Sequence, residues 1–262
     1  MARVLLAIAL AFQVAGVALA AVGELRLRAA VSRAGALLLA AAWAGQLMTL
    51  IVLGVTAGAF PLRNGPEYLL GLGWFVLTLH LVLWFRSQIR AAALVLPPVA
   101  GLLVLGAYVF AAGGSLDHAP RTQGWFVFHT SIATAGVGAL TVSFAMSILF
   151  LVKERALKSK RSLRVLEMLP TLEALDRLGF QSLLYGFPLL TLGIATGMVY
   201  SAAVHGSLWI WGLKEVFPVI AWVVFAIILW GRFARGVRGR GSAMLAIAGF
   251  AFALLTFVGM VR

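Results

Sequence analysis

The sequence predicts an all-α polytopic membrane protein: one integral domain over residues 1–262, about eight transmembrane helices, both termini outside. Three observations carry that prediction. The chain is 63% hydrophobic and only 11% charged, with a mean hydropathy of +1.04. A soluble domain of this length has no interior large enough to hide that much apolar surface, so lipid must be its solvent. Apolar runs close to the roughly 20 residues that a spanning helix needs recur along the whole sequence, without polar alternation. Backbone groups in hydrocarbon must pair internally, and runs of this kind do so only as helices. Finally, the basic residues fall in alternate loops, which sets the orientation.

The spans are expected near 3–22, 36–57, 68–85, 92–112, 124–152, 178–203, 214–231 and 242–260. In the first, "ALA" at 18–20 resembles a signal-peptidase site. Its long apolar stretch, followed by Arg26, Arg28 and Arg33, favours a retained span. The loops after spans one, three, five and seven hold every Lys and Arg except Arg3, Arg63, Arg121, Lys214 and Arg262. Those four loops are therefore inner. The net charge of +13 then reflects topology and contact with anionic lipid, not nucleic-acid binding. Span five opens on a run of small residues, Ala133 to Gly138, that lets a neighbouring helix or a flat ligand approach closely; helix packing is the commoner cause.

Residues 153–177 form the longest polar segment, with no soluble domain and no internal repeat elsewhere. Within it "LPTLEALDRLGF" reads as a short interfacial helix lining up span six, with Thr171 as cap and Leu172, Leu175 and Leu178 on one stripe. A partner-binding helix is the alternative. Pro188 is expected to kink span six, and Pro218 to sit in the tolerated first turn of span seven.

The absence of cysteine excludes a dithiol redox site, a cysteine-ligated cluster and covalent haem attachment to this chain. Histidine is the remaining good iron ligand, and there are four. His118 and His205 fall in outer loops and His129 near the outer end of span five. His80 falls in the inner third of span three, where an ionisable group is costly and hence a functional candidate; the alternative is a histidine hydrogen-bonded to a neighbouring helix. No H-E-x-x-H, nucleophile elbow or P-loop is present, so no hydrolytic activity is expected.

"HGSLWIWGLKEVFPVIAW" at 205–222 is the most distinctive stretch. If 205–211 are extended, His205, Ser207, Trp209 and Trp211 share one face, an aromatic shelf with a histidine at its edge. The competing explanation is an interfacial aromatic belt. Glu215, Pro218 and Trp222 share one stripe of the helix that follows.

This stretch, extended to Arg232, resembles the tryptophan-rich (WWD) segment of the haem-handling cytochrome c assembly family, which includes CcsA-, CcmC- and HemX-like proteins. "PLRNGPEYLLGLGWFVLTLHL" at 61–81, "FHTSIATAGVGAL" at 128–140 and "LPTLEALDRLGFQSLLYGFPLLTLGIATGMVY" at 169–200 resemble further family segments in the same order, about residues 60–232 in all. The resemblance implies an eight-helix protein of a bacterial cytoplasmic membrane. It implies non-covalent haem b, bound or transported, held at the outer face against the tryptophans. His129 falls on the family's outer axial histidine; Trp209, Trp211, Lys214 and Glu215 fall on its aromatic and charged positions. Partners would be haem, the bilayer, a second assembly subunit and apocytochrome c.

The departures are equally specific. His205 stands for the first Trp of the motif, Gly212 for its Asp, Leu213 for its Pro, and Trp230 for an inner histidine. No histidine follows the motif, which moves the resemblance toward the shorter HemX-like branch. His205 and His129 are then the expected metal ligands, with His118 a substitute for His205, His80 a contact on an inner route, and Arg63, Arg121 and Lys214 facing propionates. Two other function classes stand beside this one: a membrane regulator of haem biosynthesis acting through its basic inner loop, and a small-molecule transporter.

Overall fold

A computed structural model describes residues 1–86, 90–111, 124–159, 169–208 and 212–261. Helix is the only way for these apolar runs to pair their backbone in lipid, and among the described residues eight α-helices follow in the expected order. They are α1 (Ala2–Leu25), α2 (Ala29–Ala57), α3 (Gly65–Phe85), α4 (Leu96–Phe110), α5 (Gly124–Ser159), α6 (Leu172–His205), α7 (Leu213–Arg235) and α8 (Arg240–Val261). A 3₁₀ turn, Arg90–Leu94, leads into α4. Seven are long and apolar enough to cross a membrane, counting the 3₁₀ turn and α4 together as Ala91–Phe110; α8 is apolar over Arg240–Thr256. The chain is a multi-pass membrane protein. The Arg3 guanidinium lies 5.2 Å from the Tyr108 ring near the end of α4, so the start of α1 and the end of α4 share one side of the bundle.

Small residues set how closely the helices pack. In the α1–α2 hairpin, a Cβ on Gly23 would lie 2.3 Å from the Ser32 nitrogen, and one on Gly35 would lie 2.4 Å from the Ala20 nitrogen. Only glycine fits where backbones meet at that range. Glu24 is buried at the same end and accepts from the Ser32 hydroxyl. The turn between the helices places Leu27 at φ +53°, in the left-handed region that disfavours a side chain. Leu27→Gly is expected to raise stability by about 1 kcal/mol through relief of that strain. A thermal melt of the detergent-solubilised protein reads it, and an unchanged or lowered midpoint would count against the strain.

Polar side chains fasten α1 and α2 to the rest. Gln46 donates to Gln13 at 2.6 Å, and Gln13 donates to the Pro97 carbonyl at 3.1 Å, tying both helices to the entry of α4. Trp43 stacks on Trp74 and donates to Thr78 at 2.7 Å. Helices α3 and α5 are the most enclosed of the bundle, and α7 the least.

Two local expectations are corrected. Residues 171–178 are not a separate interfacial helix but the opening of the 34-residue α6. Thr171 does cap it, accepting from the Ala174 N–H at 3.2 Å. The leucine stripe is spent on the core: Leu175 is buried, and Leu172 and Leu178 pack against the same cluster. With that stripe on the core, the segment packs as the first turns of α6. The Lys153 ammonium pins this entry by donating to the Leu169 and Pro170 carbonyls at 2.7 and 2.6 Å. Pro218, for its part, is the sixth residue of α7 and so lies past the first turn. Pro188 lies inside α6.

Candidate functional site

His129 is the sixth residue of α5, close to its N-terminal end, and half-buried in the seam with α6. Its Nδ1 lies 3.0 Å from the Thr196 hydroxyl oxygen. One helical turn earlier, the Trp125 indole N–H donates to the Thr196 carbonyl at 3.2 Å. Residues 125 and 129 are i and i+4, so one face of α5 grips one residue of α6 twice. Thr196 is buried, and its hydroxyl donates to the Leu192 carbonyl at 2.7 Å, with the Gly193 carbonyl at 3.1 Å. Next to it, Gly197 leaves room for the ring: a Cβ there would lie 2.9 Å from His129 Cε1. Further aromatic rings line this end, with Trp125 beside Phe128 at 5.7 Å and Phe126 beside Tyr200 at 5.4 Å.

His205 is the last residue of α6, and Gly206 closes the helix in the left-handed conformation at φ +70°. The extended alternation therefore cannot start at His205, because the chain is still helical there. Any shelf begins only after the glycine has turned the chain. Helical rise places His205 about 12 Å beyond Gly197, at the C-terminal end of α6. Trp209 and Trp211 lie outside the described residues, as do His118 and Arg121. Lys214 is in the first turn of α7.

Arg63 stands at the approach to α3 with its guanidinium already engaged. It donates to both oxygens of Glu67, at 3.2 and 2.6 Å, while Asn64 caps the helix by accepting from the Glu67 N–H. His80 is 1% exposed in α3, and neither ring nitrogen has a hydrogen-bond partner among the described residues. A histidine held by hydrogen bonds from a neighbouring helix is therefore not what is seen. Seven residues separate His80 from Gly73, so the two share a helical face, and Gly73 packs against Ala100 and Val104 of α4.

The small-residue run of α5 serves packing. A Cβ on Gly136 would lie 2.9 Å from the Leu190 nitrogen of α6, and one on Gly138 would lie 2.3 Å from the Phe75 ring of α3. In α7, Trp222 donates to Thr191 at 2.8 Å and stacks on Phe187. At the opposite end of the bundle from His129, a cavity of about 30 Å³ lies among Ser143, Ser147, Asp176 and Arg232. It has room for a water molecule but not for a macrocycle.

His129 is thus clasped near one end of an eight-helix bundle. The family model described as cytochrome C assembly protein matches residues 5–261. The chain belongs to that family. A cytochrome c biogenesis protein CcsA from Microcystis aeruginosa is 30% identical over 252 residues, covering 78% of this chain and 77% of that protein. A CcsA from Guillardia theta is 28% identical over 232 residues, covering 80% and 77%. In fold, the solved cytochrome c haem lyase CcmF superposes with a TM-score of 0.68 at 19% identity. All of this chain is matched there, and it spans 46% of the lyase.

This is thus a cytochrome c assembly membrane protein. Sequence reasoning singled out His129 but missed what surrounds the ring. Thr196 and Gly197 lie in "GIATG", a small-residue pattern in span six that faces the small-residue pattern of span five. That pairing was the available signal, since two such stripes in adjacent helices tend to meet. The aromatic content of "WFVFH" at 125–129 was the other.

Proposed function

We propose that this assembly protein holds non-covalent haem b at the outer face of a bacterial cytoplasmic membrane and presents it to apocytochrome c, with a second assembly subunit as partner. The observation that carries the reading is His129: an imidazole at the outer end of the bundle, on the position that the family resemblance gives to an axial ligand. His205 is the second ligand in this reading. It is the last residue of α6, the helix that packs against the His129 ring.

The residues fit the group. Two neutral imidazoles suit iron, and aromatic rings suit the faces of a porphyrin. Trp125, Phe126 and Tyr200 already gather at this end, and Trp209 and Trp211 would extend the wall. With Arg63 engaged by Glu67, the propionates fall to Lys214 and Arg121. Haem supplies axial-ligand exchange at iron and the carbon that joins the apocytochrome thiols; the chain supplies ligands, walls and counter-charge. His80 serves as a contact on the route from the inner side.

Purified from membranes, the protein should show a Soret band, and a C-terminal reporter fusion should read as outside with one at residue 165 inside. A transporter with no haem would show no band. A regulator of haem biosynthesis would leave cytochrome c intact on deletion while haem precursors change. A cytoplasmic C-terminus would put His129 on the wrong side and sink the outer-face reading.

A further inference from the structure

We infer that Thr196 and Gly197 are positioning residues: together they hold His129 as the Nδ1–H tautomer and leave Nε2 as the nitrogen that takes the metal. The inference rests on the reading of His129 as an iron ligand and assigns the atoms that reading leaves open.

The hydrogen count decides the tautomer. A threonine hydroxyl has one hydrogen, and two carbonyls of its own helix lie within reach of the Thr196 oxygen to take it, Leu192 at 2.7 Å and Gly193 at 3.1 Å, the usual back-bonding of a helical threonine. What Thr196 presents to His129 at 3.0 Å is therefore an oxygen lone pair. A lone pair on Nδ1 at that distance would repel it, so Nδ1 carries the hydrogen and donates. A neutral imidazole has only one such hydrogen, which leaves the lone pair on Nε2. An imidazolium would place an unpaired charge within a membrane span, at high cost.

Gly197 decides where that lone pair points. A Cβ built on it would sit 2.9 Å from Cε1 and 3.5 Å from both ring nitrogens. The ring thus turns its Cε1 edge to Gly197, with Nδ1 on the Thr196 side and Nε2 on the other. The backbone of Gly193, in the same helix, also hydrogen-bonds the ring. A metal-ligating histidine commonly gives its other N–H to an acceptor that fixes both tautomer and ring orientation. Here the acceptor comes from the neighbouring helix, and Trp125 holds the same residue by its backbone.

The test uses the full chain in lipid nanodiscs, labelled with ¹⁵N-histidine, and reads imidazole ¹⁵N shifts before haem is added. His129→Ala assigns the resonances. Wild type should show His129 protonated at Nδ1. Thr196→Val, which keeps the shape but removes the acceptor, should shift the population toward Nε2–H, and Thr196→Ser should restore it. In haem titrations of the same samples, Thr196→Val should weaken binding by about tenfold or more, with Thr196→Ser close to wild type. A wild-type ring protonated at Nε2, or a tautomer that ignores Thr196→Val, would overturn the inference whatever haem does. If the tautomer behaves as stated while His129→Ala binds haem like wild type, the ligand reading fails instead, and the role of Nε2 with it.

Discussion

Replacing His129 and His205 together with alanine is expected to abolish the Soret band of the purified protein. The fold should survive, since His129 is only half-buried and close to the start of α5. Each single variant should keep a five-coordinate haem, because imidazole coordination at one face of the macrocycle persists. The two singles should therefore differ from wild type in spectrum more than in haem content, and the double variant in both. His80→Ala provides the contrast. As a contact on the inner route, it should lower haem occupancy only in part. Wild-type haem content in the double variant would make both residues structural and leave the outer tryptophans to the aromatic belt. Complete loss of haem in His80→Ala, with His129→Ala harmless, would move the principal site to the inner half of the bundle.

Asp176→Ala should cost about 3 kcal/mol or more of stability, the usual penalty for removing one partner of a buried pair. Asp176 accepts from the Arg232 guanidinium at 2.6 Å and from the Gly239 N–H at 3.3 Å, so it joins the start of α6 to the end of α7 and to the turn before α8. The arginine also lies 4.4 Å from the Phe180 ring, and both side chains of the pair are largely enclosed. Truncating the aspartate strands a guanidinium among apolar neighbours. Replacing both partners by apolar residues, as in Asp176→Leu with Arg232→Met, removes the charge and should recover most of the loss. Thermal unfolding in one detergent compares the three proteins. A single variant as stable as wild type would mean that solvent already screens the pair.

Much of the fold was legible because lipid makes the decision simple. An apolar run near the bilayer thickness has one backbone solution, so the order and number of helices followed from hydropathy. The errors came where no such constraint acts. Whether 171–178 continues into α6 depended on Leu175 finding the core. Whether His205 begins an extended segment or ends a helix depended on Gly206, whose left-handed conformation is a cap only if the preceding residues are helical.

The candidate site divides the same way. Its histidine was identifiable because imidazole is scarce in this chain and sits in a stretch resembling a known family. Its acceptor was not: Thr196 is 67 residues from His129, and threonine is an ordinary residue in a spanning helix. The sequence by itself determined that the chain is a bundle of eight membrane helices, which end carries the aromatic and histidine-rich segments, and which family it belongs to. Only the tertiary structure decided which residues meet. It gave the Arg63 charge to Glu67, left both nitrogens of His80 without hydrogen bonds among the described residues, and set the His129 ring between a threonine and a glycine. The physical reason is range. Lipid acts on each segment separately and so can be read locally, whereas a hydrogen bond between two helices depends on how they are rotated and displaced against each other, which the packing of every other helix fixes.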